Sequence, residues 1–323
     1  MADVKNRIAA ADRGVGDDTD RRNRGQLLLI TALALTVILV TVALLLNAAI
    51  FTENVATRDT TADGAEAIEF RIELVDAVGG LIETENWRND GQTDDVEAAI
   101  NATTPLVDRQ HARYGTVAGV SLNGTPRSGR LLRWNGGTPF TDDGGNADWE
   151  LVDGLDDSRN FTLDVDPDSL ATASAATSDN DAFGVRFNRS GGTVTQYIYT
   201  DGSGGLAVAQ AVDGGTPQRQ CRIAHGGATT TVDLTGDRLS TADSDTECFR
   251  GLWPDDPPEA IEFVSGTAAA GTFAVTVDDS ASPTTDPAVL NEPAVYSATV
   301  DVVYQTPDLE FETTVEIAPG EPR

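Results

Sequence analysis

AVYSATVDVVYQTPDLEFETTVEI, residues 294–317, reads as two β-strands and the turn between them. Side chains alternate between the two faces of a strand, so Tyr296, Ala298, Val300, Val302 and Tyr304 share one face. Phe311, Thr313, Val315 and Ile317 supply the matching face of the second strand, leaving Glu310, Glu312, Thr314 and Glu316 outward. Thr306, Pro307 and Asp308 form the loop, and the expected product is an antiparallel hairpin whose aromatic residues lie in a core.

The same signature recurs upstream as far as Thr116. Short β-branched or apolar runs stand at TVAGVSL, RLLRW, FTLDV, AFGVRF, TVTQYIYT, GLAVAQAV, ATTTVDL, AIEFVSG and GTFAVTV, separated by Gly, Asp, Asn and Pro. Many short strands with turn signals between them point to an antiparallel β-sandwich or open barrel over residues 116–323. Residues 142–146 and 278–286 read as acidic surface loops.

Before Thr116 the period becomes helical. Ala65, Ile68, Ile72, Val75, Val78 and Ile82 recur at three- and four-residue spacings, which predicts an apolar helix stripe that packs either on a partner or on the chain itself. A second helix is expected from Asp94 or Asp95 to Thr103, with Val96, Ala99 and Ile100 on one side and Pro105 either stopping it or opening a further turn. Gly79 and Gly80 are expected to bend or end the first helix. Residues 52–115 thus form a helical stalk or hairpin, and the fold class is α+β with a mostly β outer domain.

The run Leu27 to Leu46 (LLLITALALTVILVTVALLL) carries no charge. At about 1.5 Å of rise per residue it matches the roughly 30 Å hydrocarbon core, so residues 25–51 read as a single transmembrane helix. Arg21, Arg22 and Arg24 precede it and Thr52, Glu53 and Asn54 follow it, which puts the leader 1–24 in the cytoplasm and the rest outside the cell. Small residues Asn47, Ala48 and Ala49 leave signal-peptide cleavage open as the rival reading.

Acidic residues number 52 against 22 basic ones, for a formal charge of −30, and Lys5 is the only lysine. Nucleic acid is an unsuitable partner for that field. Five acids and six bases precede Thr52, so the negative charge belongs to the external part. At molar salt the Debye length falls to about 3 Å, and self-repulsion is screened.

Cys221 and Cys248 both lie in the external part, where a disulfide is expected; in the chain-entropy model, closing a loop of this size contributes about 3.5 kcal/mol. N-x-S/T acceptors stand at Asn101, Asn123, Asn160 and Asn188. His111 and His225 are the only histidines, and no phosphate loop, nucleophile elbow or dinucleotide fingerprint is present. Asp142 to Glu150 offers oxygen ligands without the spacing of a calcium loop. The expectation is a non-enzymatic chain with neither metal nor cofactor.

Asp-rich, lysine-poor composition resembles that of extreme halophiles. Residues 21–60, from Arg21-Arg22-Asn23-Arg24-Gly25-Gln26 through the apolar run to NAAIFTENVATRDT, resemble poorly characterised haloarchaeal membrane-anchored families with leaders like those of archaeal type IV pilins and TadE/TadG-like proteins. The resemblance implies cleavage after Gly25, with Arg24 as the preceding basic residue and Gln26 as the new N-terminus. Ile30 departs from the pattern, standing where assembling pilins commonly carry glutamate. The function so implied is a pilin-like structural or assembly component of the cell surface, with membrane lipid and pilin-like, secretion or envelope proteins as partners. The other expectation is an anchored binding module for an envelope protein or glycan.

Overall fold

The computed structural model describes residues 64–88, 91–113, 115–134 and 136–322. The apolar run 27–46 and the leader residues Arg24, Gly25 and Gln26 lie outside the described residues. Among the described residues no helix is long and apolar enough to cross a membrane. The chain divides into two compact units, 1–66 and 67–323.

Two helices open the described chain. The first, α1, covers residues 64–88, and the second, α2, runs Thr93–Ala112. Helix α1 continues through Gly79 and Gly80. Gly79 is a contact position, where a Cβ would stand 3.3 Å from Pro319 and 3.8 Å from Ile317. Helix α2 likewise runs through Pro105. The neighbouring Thr104 hydroxyl donates to Val120 O at 2.7 Å, with Ile100 O farther off at 3.3 Å, fastening that turn to the first strand. Gly91, between the helices, has φ +51° and lies so close to Ala294 that any side chain would collide with its Cα.

Sixteen strands follow among the described residues. They are β1 Val117–Leu122, β2 Arg127–Trp134, β3 Trp149–Asp153, β4 Ser158–Val165, β5 Phe183–Arg189, β6 Gly192–Thr200, β7 Gly205–Val212 and β8 Gln218–Ala224. Then come β9 Thr230–Asp233, β10 Arg238–Ser240, β11 Asp245–Glu247, β12 Ala260–Val264, β13 Gly271–Asp278, β14 Ser282–Pro283, β15 Leu290–Gln305 and β16 Glu310–Ile317. They form two antiparallel sheets, so the fold is mostly β and its second half is a sandwich. One sheet has the order β1-β15-β2-β13-β4-β9-β10-β11 with β16 added to β15; the other runs β14-β3-β12-β5-β6-β7-β8.

Strand β15 runs from the sandwich to the helix-covered face. Its first half pairs with β2, from Leu290↔Arg133 to Ser297↔Arg127, and its second half lies between β1 and β16. The expected hairpin forms, with Tyr304↔Phe311, Val302↔Thr313, Val300↔Val315 and Ala298↔Ile317 opposed. Two main cores result. One lies between the sheets and includes Trp134, Phe140, Phe161, Phe183, Phe263 and Phe273. The other lies between the helices and the β1-β15-β16 face, where Phe70, Leu74, Ile82, Val96 and Ile100 meet Val120, Val300 and Val302.

Candidate interaction face

Helix α1 presents two different faces. The inner one is a row spaced by fours, Phe70, Leu74, Val78, Ile82 and Asn86, all buried, with Ala67 beside it. Side chains at i, i+4 lie one above the other on a helix, and the apolar members of this row are all packed in the core shared with the sheet. Phe70 ends in an aromatic group with His111 at 5.0 Å and Tyr304 at 5.5 Å. His111 is therefore a packed, half-buried ring.

The C-terminal end of the inner face is polar. Asn86 donates from Nδ2 to Val295 O at 3.0 Å and accepts Val295 N–H at 2.8 Å, acting as a strand partner in the half of β15 that β16 does not reach. Beside it Arg159, fully buried on β4, donates to Tyr296 O and Val295 O at 2.8 Å and to Pro319 O at 2.7 Å, and pairs with Glu83 of α1. The same Glu83 accepts from Asn160 Nδ2 at 3.1 Å. Tyr296 lies under the guanidinium and donates its hydroxyl to Glu321. Burial, with the Glu321 carboxylate beside it, drives the Tyr296 phenol far above its ordinary value. Arg159 thus ties α1, β4, β15 and the C-terminal tail together. A buried guanidinium is tolerated only with its partners in place.

The outer face carries Ile68 and Ile72, 55% and 52% exposed, with exposed Glu69 and Glu73 next to them. Of the stripe expected from sequence, Ala65 is exposed and Val75 is partly covered, while Val78 and Ile82 are in the chain's own core. Those last two are unavailable to a partner. The sequence stripe and the observed row share Val78 and Ile82 and diverge toward the N-terminus, where Phe70 and Leu74 take the inner face. Phe70, the one phenylalanine of the helix, and Leu74 at i+4 were the signal that distinguished them.

The four glycan acceptors differ in availability. Asn101 is exposed on α2 and Asn123 in the turn between β1 and β2. Asn123 Nδ2 donates to Asp301 at 2.9 Å on an open surface. Asn160, at φ +54°, spends its amide on Glu83, and Asn188 donates to Glu262 Oε1 at 2.6 Å. A glycan at Asn160 would break the Arg159 cluster.

Cys221 of β8 and Cys248, just after β11, form a disulfide with Cα atoms 4.8 Å apart, joining the last strands of the two sheets. Asp142 is spent on its own turn, accepting from Asn146, and this holds its carboxyl below the usual range. His225 Nδ1 accepts Gly227 N–H at 2.9 Å, also within its turn. Among the described residues no three His, Cys, Asp or Glu side chains are grouped to hold a metal ion.

Residues 21–137 match a family of unknown function, DUF7261. The matched stretch contains the apolar run, α1, α2, β1 and β2 and ends before the rest of the sandwich. No curated protein matches the chain. Among solved structures, a crystal structure of Scytalido-glutamic peptidase with a peptide-based transition state analog aligns over 59% of this chain and 87% of that one, at 10% identity and a TM-score of 0.15. A likeness of that size carries no argument about fold or activity.

Proposed function

We propose that this chain is a pilin-like structural or assembly component of a cell surface, anchored by residues 27–46 with its N-terminus in the cytoplasm and its β domain outside. The observation that supports the reading is the outer face of α1. Ile68 and Ile72 stand in solvent on a helix whose other face is already committed to its own core. Two large apolar side chains one turn apart form a small ridge of the kind that packs into a neighbouring helix. The helix follows directly in sequence the segment that resembles a pilin leader and membrane span. Surface glycan at Asn123 is compatible with this placement.

The test uses photo-crosslinkers at Glu69 and Glu73 in intact cells, with products identified by mass spectrometry. Repeated capture of one pilin-like, secretion or envelope protein is expected, and Ile72→Asp should abolish it. Efficient activation that gives only intramolecular products would defeat the proposal. The mature N-terminus of membrane-recovered protein separates the forms of anchoring: Gln26 first indicates pilin-type processing, an intact leader permanent anchorage, and a start near Ile50 release.

A further inference from the structure

The β1-β15-β16 face under the helices ends in an open edge. Asn123 donates its N–H to Thr299 O at 2.8 Å, so along the second half of β15 the backbone groups of odd-numbered residues turn to β1 and those of even-numbered residues to β16. Val300, Val302 and Tyr304 therefore bond Val315, Thr313 and Phe311, in a ladder without a bulge. The N–H and C=O groups of Glu312, Thr314 and Glu316 turn the other way. Those three residues are exposed, and β16 pairs with no strand but β15 among the described residues. A row of unpaired backbone groups is a template for another strand.

The apolar side of α1 that stays uncovered runs along this border. Ile68, Ile72, Val75 and Gly79 are spaced i, i+4, i+7 and i+11, which sets them on one side of the helix, and Gly79 stands against Pro319 and Ile317 at the end of β16. Phe70, on the opposite side, meets His111 of α2, the helix that packs on β1. Phe311, Thr313 and Val315 of β16 point toward the helices and are only half-buried. One more strand beside β16 would satisfy the free backbone groups and bring its helix-side side chains against Phe311, Val315 and Ile72.

Charge selects what can fill the space. The outward side chains of β16 are Glu310, Glu312, Thr314 and Glu316. Gln305 and Ser297 donate to Glu310 and Glu316, and no basic side chain pairs with any of the three glutamates among the described residues. Side chains opposite each other on paired strands are close enough for like charges to destabilise and opposite charges to stabilise, so a second copy of β16 would bring glutamate to glutamate. We propose that the β16 edge and the α1 flank receive a β-strand of a partner protein in which basic residues alternate with apolar ones, the basic side chains beside Glu312 and Glu316 and the apolar ones beneath Ile72. This rests on the reading of the outer face of α1 as an interface, and adds a strand to what the partner brings there.

Fluorescence anisotropy of the full chain in detergent, at the lowest salt that keeps it folded, with labelled acetyl-Lys-Val-Arg-Val-Lys-Val-Arg-Val amide tests the proposal. The peptide should bind at one site, and its glutamate counterpart at least tenfold more weakly. Strand pairing uses the N–H groups of alternate residues, so of two peptides N-methylated at the basic residues or at the valines, one should bind like the parent and the other at least tenfold more weakly. Glu312→Lys should weaken binding at least tenfold, and Glu97→Lys, an equal charge change exposed on α2, less than twofold. Thr314→Pro should abolish binding, since its N–H points away from β15 and proline is admitted on an edge. Ile72→Ser should weaken binding at least threefold, and amide hydrogen exchange over residues 310–317 should slow when the peptide binds. Equal binding of the two methylated peptides, an equal loss in Glu97→Lys, or unchanged exchange over residues 310–317 would each overturn the site. Dimers of the chain that Thr314→Pro abolishes, without peptide binding, would assign the edge to a second copy and overturn the partner strand. None of these readouts uses the crosslinks in cells, so the strand site and the assembly role fail separately.

Discussion

Arg159 concentrates more of the structure than any other side chain, and the sequence scarcely signals it. It stands at the start of a strand, next to an asparagine whose N-x-T triplet suggests a glycan acceptor, and nothing local tells that both turn inward toward Glu83. The contact with Glu83 spans 76 residues and exists only because β4 and α1 meet over β15. Removing one partner of a buried pair leaves the other charge uncompensated, which typically costs about 3–5 kcal/mol. Glu83→Ala is accordingly expected to destabilise the described domain by about 3 kcal/mol, read as a lowered denaturant midpoint with an unchanged slope. Glu83→Gln should recover part of the loss, because an amide oxygen can still accept from Arg159. By contrast, Val300 and Tyr304 were legible, since period-two alternation depends only on neighbours in sequence; the alternation breaks at the bulge between Val295 and Ser297, where Val295 and not Tyr296 joins that core. Asn123, unlike Asn160, is expected to accept a glycan in a glycosylating host, which peptide mapping would show as mass added to the first tryptic peptide set and none to the second.

Elements with strong periodicity declare themselves, and elements defined by their partners do not. The β15–β16 hairpin was readable as two strands, their faces and the turn between them, whereas β3, β8 and the short β10, β11 and β14 escape notice because their sequences lack a run of β-branched or aromatic residues. Helix α1 was readable as a helix but only in part for its facing, because two stripes fit its sequence. That facing yields a prediction: Ile72→Asp exchanges one exposed side chain for another and should change stability by no more than about 0.5 kcal/mol. Leu74→Asp, two positions on, should unfold the helix–sheet core. Circular dichroism melts of the two variants decide which face is inner. The disulfide belongs to this scale too, since it fastens β8 to the segment beyond β11 at the open edges of the two sheets. Reduction or Cys221→Ser is expected to lower stability by about 3 kcal/mol, and peptide mapping without reductant should recover the two cysteines linked.

For the molecule as a whole, charge sets the conditions under which the fold persists. Hydrogen bonds from Arg222 hold Asp201 well below its ordinary value, those from Asn146 hold Asp142 down, and those from Thr314 and Asn123 hold Asp301 down. Asp278 is also lowered, despite burial acting the other way, because Ser280 and nearby backbone N–H groups donate to it. Carboxyl groups depressed in the folded state contribute stability that is present above the unfolded value of about 3.9 and is lost as pH falls through the folded values. Thermal midpoints at fixed salt should therefore be flat from pH 7 to 5 and fall below about pH 4, with a shallower fall in Asp201→Asn. With a formal charge of −30, the midpoint at neutral pH should also rise with added salt as repulsion is screened. The arrangement around β15 bears on the order of events when the chain is made. Synthesis runs from the N-terminus, yet α1, β1 and β2 all close onto residues 290–317. Each leaves the ribosome or translocon with its apolar face unmatched, and it must wait through about half the chain or more for its template. Contacts this far apart in sequence make folding slow, so the nascent chain spends that interval dependent on whatever keeps exposed apolar segments from aggregating.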